Sequence, residues 1–94
     1  AKAPEDKYYT NVMLAQSADL LLTLKGIECS FAIGYLEEGK VGISARSLGN
    51  INVQLIMEEL GGGGHLANAA TQIEGINLDE ALERLNDAID KITS

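Results

Sequence analysis

Cysteine, tryptophan and positive charge are scarce in this sequence of 94 residues. Cys29 is the single cysteine, so a disulfide within the chain is excluded, which fits a reducing cytoplasm. With no tryptophan, one phenylalanine and three tyrosines, the chain has few rings on which the bases of single-stranded nucleic acid could stack. Fourteen acidic residues against seven Lys and Arg give a formal net charge of −7, so binding to long nucleic acid is not expected.

Long hydrophobic runs and proline are scarce as well. No apolar run approaches the roughly 18 residues of a membrane-spanning helix, and we expect no membrane contact by this domain. The one proline lies in the polar segment AKAPEDKYY, and we interpret residues 1–9 as a linker or the edge of a cut inside a longer protein. The remainder, residues 10–94, has the apolar fraction of an ordinary globular protein and is long enough for one domain.

Hydrophobic periodicity predicts three helices and three strands in the order helix, hairpin, helix, strand, helix. This order predicts an α/β domain, in which three helices cover a small mixed sheet of about three to five strands. The helices are expected near residues 11–24, 51–60 and 78–92, and the strands near residues 27–36, 40–47 and 67–74. The expected helix caps are Thr10 or Asn11, Asn50 or Asn52, and Asn77 with Glu80 in a capping box.

The predicted hairpin has two different faces. Along its second strand, apolar residues alternate with Gly42, Ser44 and Arg46, so that one face is apolar and the other carries small or polar side chains. The second face is either kept clear for a ligand to approach or simply exposed to solvent. Both interpretations fit the alternation equally well.

Four consecutive glycines precede His65, the only histidine of the chain. Gly61 is expected to end the second helix in the left-handed conformation. The glycines at positions 62, 63 and 64 exceed that need, and bare backbone allows successive N–H groups to surround an anion. His65 would add a donor that can also carry positive charge. The alternative is a flexible tether that carries a surface histidine.

Arg46 and Ser47 lie at the end of the predicted second strand, shortly before a helix begins. A planar guanidinium suits phosphate, and the start of a helix favours anions. The alternative is a surface arginine that pairs with one of the many acidic residues.

The segment ISARSLGNINVQLIMEELGGGGHLANAATQ, Ile43 to Gln72, resembles the C-terminal DHH-associated domain of the DHH phosphoesterases. That family's hallmark is a Gly-Gly-Gly-His loop with an Ala-Ala pair shortly after it, and with the flanking elements the resemblance covers about residues 10–92. Thr71 stands where many members have Gly, and Asn52 with Val53 stands where many have Asp-Val. Both variants are similar to the membrane-anchored bacterial branch that hydrolyses cyclic di-AMP, and not to the RecJ-like exonucleases.

The resemblance implies a division of labour between two domains. A DHH domain, absent from this chain, would carry Asp and His ligands for two metal ions, usually manganese, while the DHH-associated domain closes over that site. The parent protein is therefore expected to be a metal-dependent phosphodiesterase, anchored in the membrane with this domain on the cytoplasmic side. The chain has no Asp-His-His motif, so we expect it to bind no metal, to supply no catalytic residue and to be inactive alone.

Residue by residue, the resemblance assigns substrate binding to one loop and one strand end. The expected ligand is cyclic di-AMP or another short dinucleotide. The expected partner is the DHH domain of the same full-length parent chain, with a homodimer also considered. The residues expected to bind the ligand are Gly62, Gly63, Gly64 and His65, with Arg46 and Ser47, and more weakly Ser44 and Asn68.

Two other functions fit parts of the same sequence. Related domains occur in single-strand exonucleases and alanyl-tRNA synthetases, which would make the chain a nucleic-acid-binding module of an exonuclease or oligoribonuclease. The acidic charge and the scarce aromatics argue against that function. The second alternative is a dimerisation domain without a ligand, in which the glycine run is only a tether.

Overall fold

The computed structural model of the chain describes residues 7–25, 29–48, 51–65 and 68–93. Within these ranges three helices and four strands form one α/β domain, which confirms the predicted fold class. In chain order they are α1 (Asn11–Lys25), β1 (Cys29–Glu37), β2 (Lys40–Ser47), α2 (Val53–Glu59), β3 (Gly63–His65), β4 (Asn68–Glu74) and α3 (Leu78–Thr93).

The described strands form one sheet in the order β1-β2-β4-β3, and neighbouring strands run antiparallel. Parallel pairing occurs in an isolated bridge between Tyr8 and Tyr35, where Tyr9 N–H donates to the Tyr35 carbonyl over 2.7 Å. Tyr8 and Tyr9, within the predicted linker, therefore lie along β1, whereas residues 1–6 lie outside the described residues. The sequence did not predict β3, because its glycines carry no pattern of alternation.

The main core lies between one face of the sheet and the helices α2 and α3. Because side chains alternate along a strand, every second residue of β1 and β2 points into this core. The apolar stripe predicted for α3 is confirmed, since its members are buried or half-buried against the sheet. The buried members of the core include Ile33, Val41, Ile43, Ala45, Ile56, Met57, Leu78, Ala81 and Leu85.

The opposite face of the β1–β2 hairpin is covered by α1. Leu14 and Ala18 of α1 are buried with Ala32 of β1 in a second, smaller core. A Cβ at Gly42 would come within 2.9 Å of the Leu36 side chain and 3.0 Å of Leu14, so the glycine makes room for the helix. The expectation that this face is clear for a ligand or exposed to solvent is therefore wrong for β1 and β2, because a helix of the same chain occupies it.

Short polar side chains begin each helix, as predicted. The Met13 backbone N–H donates to Thr10 Oγ1 over 3.1 Å, and the Leu55 N–H donates to Asn52 Oδ1 over 3.3 Å. The Glu80 N–H donates to Asn77 Oδ1 over 2.8 Å at the start of α3. These bonds satisfy backbone donors that have no partner within the helix. Asn50, the other candidate for α2, lies outside the described residues.

Asn77→Ala is expected to lower the free energy of unfolding by about 1 kcal/mol, since it removes the cap of α3. Asn86→Ala is the matched control, because Asn86 is an exposed residue inside the same helix and Ala is a better helix former than Asn. Urea denaturation followed by circular dichroism measures both. Equal effects of the two substitutions would contradict the assignment of Asn77 as the cap.

Candidate ligand-binding site

The glycine run begins as the C-terminal cap of α2. Gly61 has a φ of 86°, and its N–H donates to the Glu58 carbonyl over 3.1 Å. The Gly62 N–H donates to the Met57 carbonyl over 2.8 Å. This pair of bonds is the Schellman arrangement, in which a left-handed residue ends the helix. The cap predicted at Gly61 is confirmed.

Two of the remaining glycines are needed for close packing against β4. A Cβ at Gly62 would overlap the Ala70 carbonyl oxygen and the Thr71 side chain. A Cβ at Gly64, where φ is 144°, would lie 2.5 Å from the Ala69 Cα and 2.5 Å from the Asn68 carbonyl oxygen. The fold therefore requires both glycines. The alternative of a flexible tether is wrong for residues 63–65, since they form β3 and pair with β4.

Gly63 differs from its two neighbours. A Cβ built on it meets no atom of the described residues within 4 Å, and Gly63 is not among the described glycines with positive φ. Packing and backbone conformation within the domain thus give no reason for glycine at this position. The open space beside Gly63 is available to a molecule from outside the domain.

Arg46, Asn68 and His65 lie side by side across the sheet. Arg46 of β2 is the register partner of Asn68 of β4, and Asn68 is the partner of His65 of β3. Ser30 of β1 is the register partner of Arg46 on its other side. We call these four neighbours, Ser30, Arg46, Asn68 and His65, the strand-end row. Strands lie about 4.8 Å apart, so the Cα atoms of Arg46 and His65, two strands apart, are separated by roughly 10 Å. Register partners point to the same face, and here that is the face on which α1 packs.

The strand-end row crosses the boundary between a covered and an open part of this face. Helix α1 lies over β1 and β2, where Ser30 is buried, whereas Asn68 and His65 are exposed. Ala70 of β4 lies on the same face and is exposed as well, and its register partner on β3 is Gly63. Three of the predicted residues, Arg46, Asn68 and His65, are therefore brought together beside the glycine run.

Arg46 is held by two contacts. Its Nε lies 2.7 Å from Asp19 Oδ1 on α1, and its Nη1 donates to the Ala45 carbonyl over 2.9 Å. The Arg46 side chain is 13% exposed, whereas that of Asp19 is 60% exposed. The alternative prediction, a surface arginine paired with an acidic residue, is correct about the ion pair. It is wrong about the surface position, because the Arg46 side chain is largely enclosed. The sequence did not predict a role for Asp19, because an Asp within a helical segment gives no sign of its partner on a distant strand.

The two predicted serines are not part of the exposed surface. Ser44 is 2% exposed and lies beneath α1, and Ser47 is 6% exposed and points to the opposite face from Arg46. Neither hydroxyl is open to a ligand in this arrangement. Their assignment to substrate binding stays a prediction with less structural support than that of the strand-end row.

Two further features concern metals and membranes. Among the described residues, no three His, Cys, Asp or Glu side chains gather into a group that could hold a metal ion. The helices of the described ranges are also too short or too polar to cross a membrane.

The chain is similar to known proteins over most of its length. A family model described as the DHHA1 domain matches residues 2–91. The cyclic-di-AMP phosphodiesterase GdpP of Bacillus subtilis (strain 168) is 58% identical over 87 residues, which make up 93% of this chain and 13% of that protein. The bifunctional oligoribonuclease and PAP phosphatase NrnA of Thermus thermophilus is 39% identical over 70 residues, or 74% of this chain and 21% of that protein.

A solved structure confirms the fold. The pGpG-specific phosphodiesterase PggH of Vibrio cholerae superposes with a TM-score of 0.59 at 18% sequence identity, over 79% of this chain and 26% of that one. The chain thus spans a small part of each protein that it resembles.

Proposed function

Because the chain belongs to the DHHA1 domain family, we propose that it is the substrate-binding part of a longer phosphodiesterase that hydrolyses cyclic di-AMP. The observation that carries this proposal is the strand-end row, in which Arg46, Asn68 and His65 meet beside the open space at Gly63. The identity to a cyclic-di-AMP phosphodiesterase supports the choice of substrate.

Each member of the site offers a different contact to a dinucleotide. The Arg46 guanidinium can donate N–H groups in a planar fork to a phosphate. Gly63 allows the backbone to approach the substrate without a side chain between them. Asn68 and His65 carry exposed donors and acceptors for a second phosphate oxygen or a base edge. Together they orient the substrate, and Arg46 also balances charge that develops on the phosphate during hydrolysis.

The reactive groups would lie outside this chain. The described residues hold no group of His, Cys, Asp or Glu that could bind a metal ion. We propose that two manganese ions are held by a separate DHH domain. Bound there, two metal ions would supply an activated water and would stabilise the attacking and leaving oxygens. We propose that the DHH domain belongs to the same protein, that this protein is membrane-anchored with the domain on the cytoplasmic side, and that it can form a homodimer.

The test compares the full protein with the chain alone. With Mn²⁺, the full protein is expected to hydrolyse cyclic di-AMP, and the chain alone is expected to show no turnover above that of a blank preparation. Hydrolysis by the chain alone, from a preparation free of other nucleases, would overturn the proposed division of labour.

The same assay separates the alternative functions. A kcat/KM for short oligoribonucleotides well above that for cyclic di-AMP would favour the nucleic-acid module. Full activity of the protein after Arg46 and His65 are both replaced by Ala would favour a domain that only dimerises. Sedimentation of the wild-type and doubly substituted proteins shows in each case whether the oligomeric state has changed.

A further inference from the structure

Helix α1 is fastened to the strand-end row at two successive residues. Asp19 pairs with Arg46, with 2.7 Å between Oδ1 and Nε. One residue earlier, the Ala18 carbonyl accepts a hydrogen bond of 2.5 Å from Ser30 Oγ, and Ser30 is the register partner of Arg46 on β1. The position of Asp19 over β2 is therefore fixed by a buried contact that does not depend on the ion pair itself.

The two contacts of Arg46 use part of its hydrogen-bonding capacity. A guanidinium has five N–H groups, one on Nε and two on each Nη. Asp19 accepts from Nε, and the Ala45 carbonyl accepts from Nη1. Against the part of the chain that the structure describes, these two partners leave both N–H groups of Nη2 and one of Nη1, which is a fork suited to two oxygens of a phosphate.

Holding the arginine in advance favours binding. A free arginine side chain loses rotamer entropy when it is fixed, and a side chain that is already fixed does not lose that entropy again when the ligand arrives. The negative charge of Asp19 opposes an approaching anion, but its side chain is 60% exposed and its field is weakened by water. The entropy saved by fixing Arg46 in advance favours binding, whereas the repulsion between Asp19 and an anion opposes it. Because water weakens that repulsion at the exposed Asp19, we expect the entropic effect to be the larger one.

We propose that Asp19 is a positioning residue for substrate binding: it orients the Arg46 guanidinium at the boundary between the covered and open parts of the sheet. This inference rests on the proposed function, in which Arg46 binds a phosphate of the substrate. Asp19 itself does not touch the substrate.

The experiment measures kcat and KM for cyclic di-AMP with the full protein and Mn²⁺. Asp19→Ala is expected to lower kcat/KM roughly tenfold, mainly by raising KM, because Arg46 loses the partner that orients it. Asp19→Asn is expected to recover most of that loss, since the amide oxygen still accepts from Nε while the charge is gone. Glu83→Ala, which removes an exposed acid on α3, is the control for charge alone.

A double-mutant comparison distinguishes a positioning role of Asp19 from a role in stability alone. In an Arg46→Ala background, Asp19→Ala is expected to change kcat/KM less than twofold, because the side chain that Asp19 orients is absent. An equal loss in both backgrounds, accompanied by a lower melting temperature, would show that Asp19 only stabilises the fold. Tighter binding in both Asp19→Ala and Asp19→Asn would show that Asp19 masks Arg46, and would overturn the proposal.

The result also separates this inference from the proposed function. A wild-type protein without activity on cyclic di-AMP, or an Arg46→Ala protein with normal kinetics, would overturn the proposed function, and the inference with it. An impaired Arg46→Ala protein beside a normal Asp19→Ala protein would overturn the inference alone.

Discussion

Gly62→Ala and Gly64→Ala are expected to destabilise the domain strongly, whereas Gly63→Ala is expected to leave its stability unchanged and to reduce turnover. At positions 62 and 64 a methyl group would overlap the backbone of β4, which cannot move without breaking its pairing with β2. Detachment of the short strand β3 from β4 would relieve the overlap. The expected loss in the free energy of unfolding is therefore limited to roughly 2–4 kcal/mol. At position 63 the methyl group meets nothing in the domain.

Thermal denaturation of the three variants measures the first part of this prediction. Gly39→Ala is the matched control, because Gly39 has a φ of 76° but no atom within 4 Å of an added Cβ. It reports the cost of the left-handed backbone alone, roughly 1–2 kcal/mol. Losses at positions 62 and 64 no greater than that at position 39 would show that close packing does not explain these glycines.

Kinetics of the full protein measure the second part. If the substrate approaches the backbone at Gly63, a methyl group there should lower kcat/KM at least about tenfold, while the melting temperature stays within a degree or two of wild type. Normal kinetics combined with normal stability would leave no role for Gly63 in binding.

Arg46→Ala and His65→Ala are both expected to reduce activity. Arginine stays charged at every working pH. Loss of Arg46 should therefore cost roughly 1.5–3 kcal/mol of transition-state stabilisation, about ten- to hundredfold in kcat/KM, across the whole range. Loss of His65 should also lower kcat/KM, because an exposed ring with a donor and an acceptor beside Asn68 is lost.

The measurement is kcat/KM for the full protein and both variants from about pH 5.5 to 9. Manganese must be saturating throughout, so that metal loss at low pH does not imitate the titration of a side chain. An unchanged profile of unchanged height in His65→Ala would overturn the assignment of the glycine–histidine loop to substrate binding.

Local chemistry explains which parts of the fold were predictable. The caps at Thr10, Asn52 and Asn77 and the helix end at Gly61 depend on residues within one turn, so the sequence indicates them directly. The alternation of β2 predicts its buried face for the same reason, because the period of a strand is set by the backbone.

Contacts between distant segments explain what was missed. Small residues such as Gly42 and Ser44 allow either a helix or a ligand to come close, and the sequence does not distinguish the two. The pairing of residues 63–65 with β4 depends on a close approach of the two backbones. Glycine permits that approach, but a run of glycines does not by itself indicate a strand. Asp19 meets Arg46 only after α1 has packed on the sheet.

The strand order has a consequence for how the site forms during folding. The β1–β2 hairpin joins neighbours in sequence, whereas β2 pairs with β4 through Lys40 with Glu74 and Arg46 with Asn68, so that all of α2 lies between the partners. Contacts between residues far apart in sequence have a high entropic barrier and tend to form late. In a collapsed chain whose β2 and β4 have not yet paired, Arg46 does not lie beside Asn68, and His65 is not held close to Arg46. Substrate binding should therefore report on completed folding, and substrate should stabilise the native state alone.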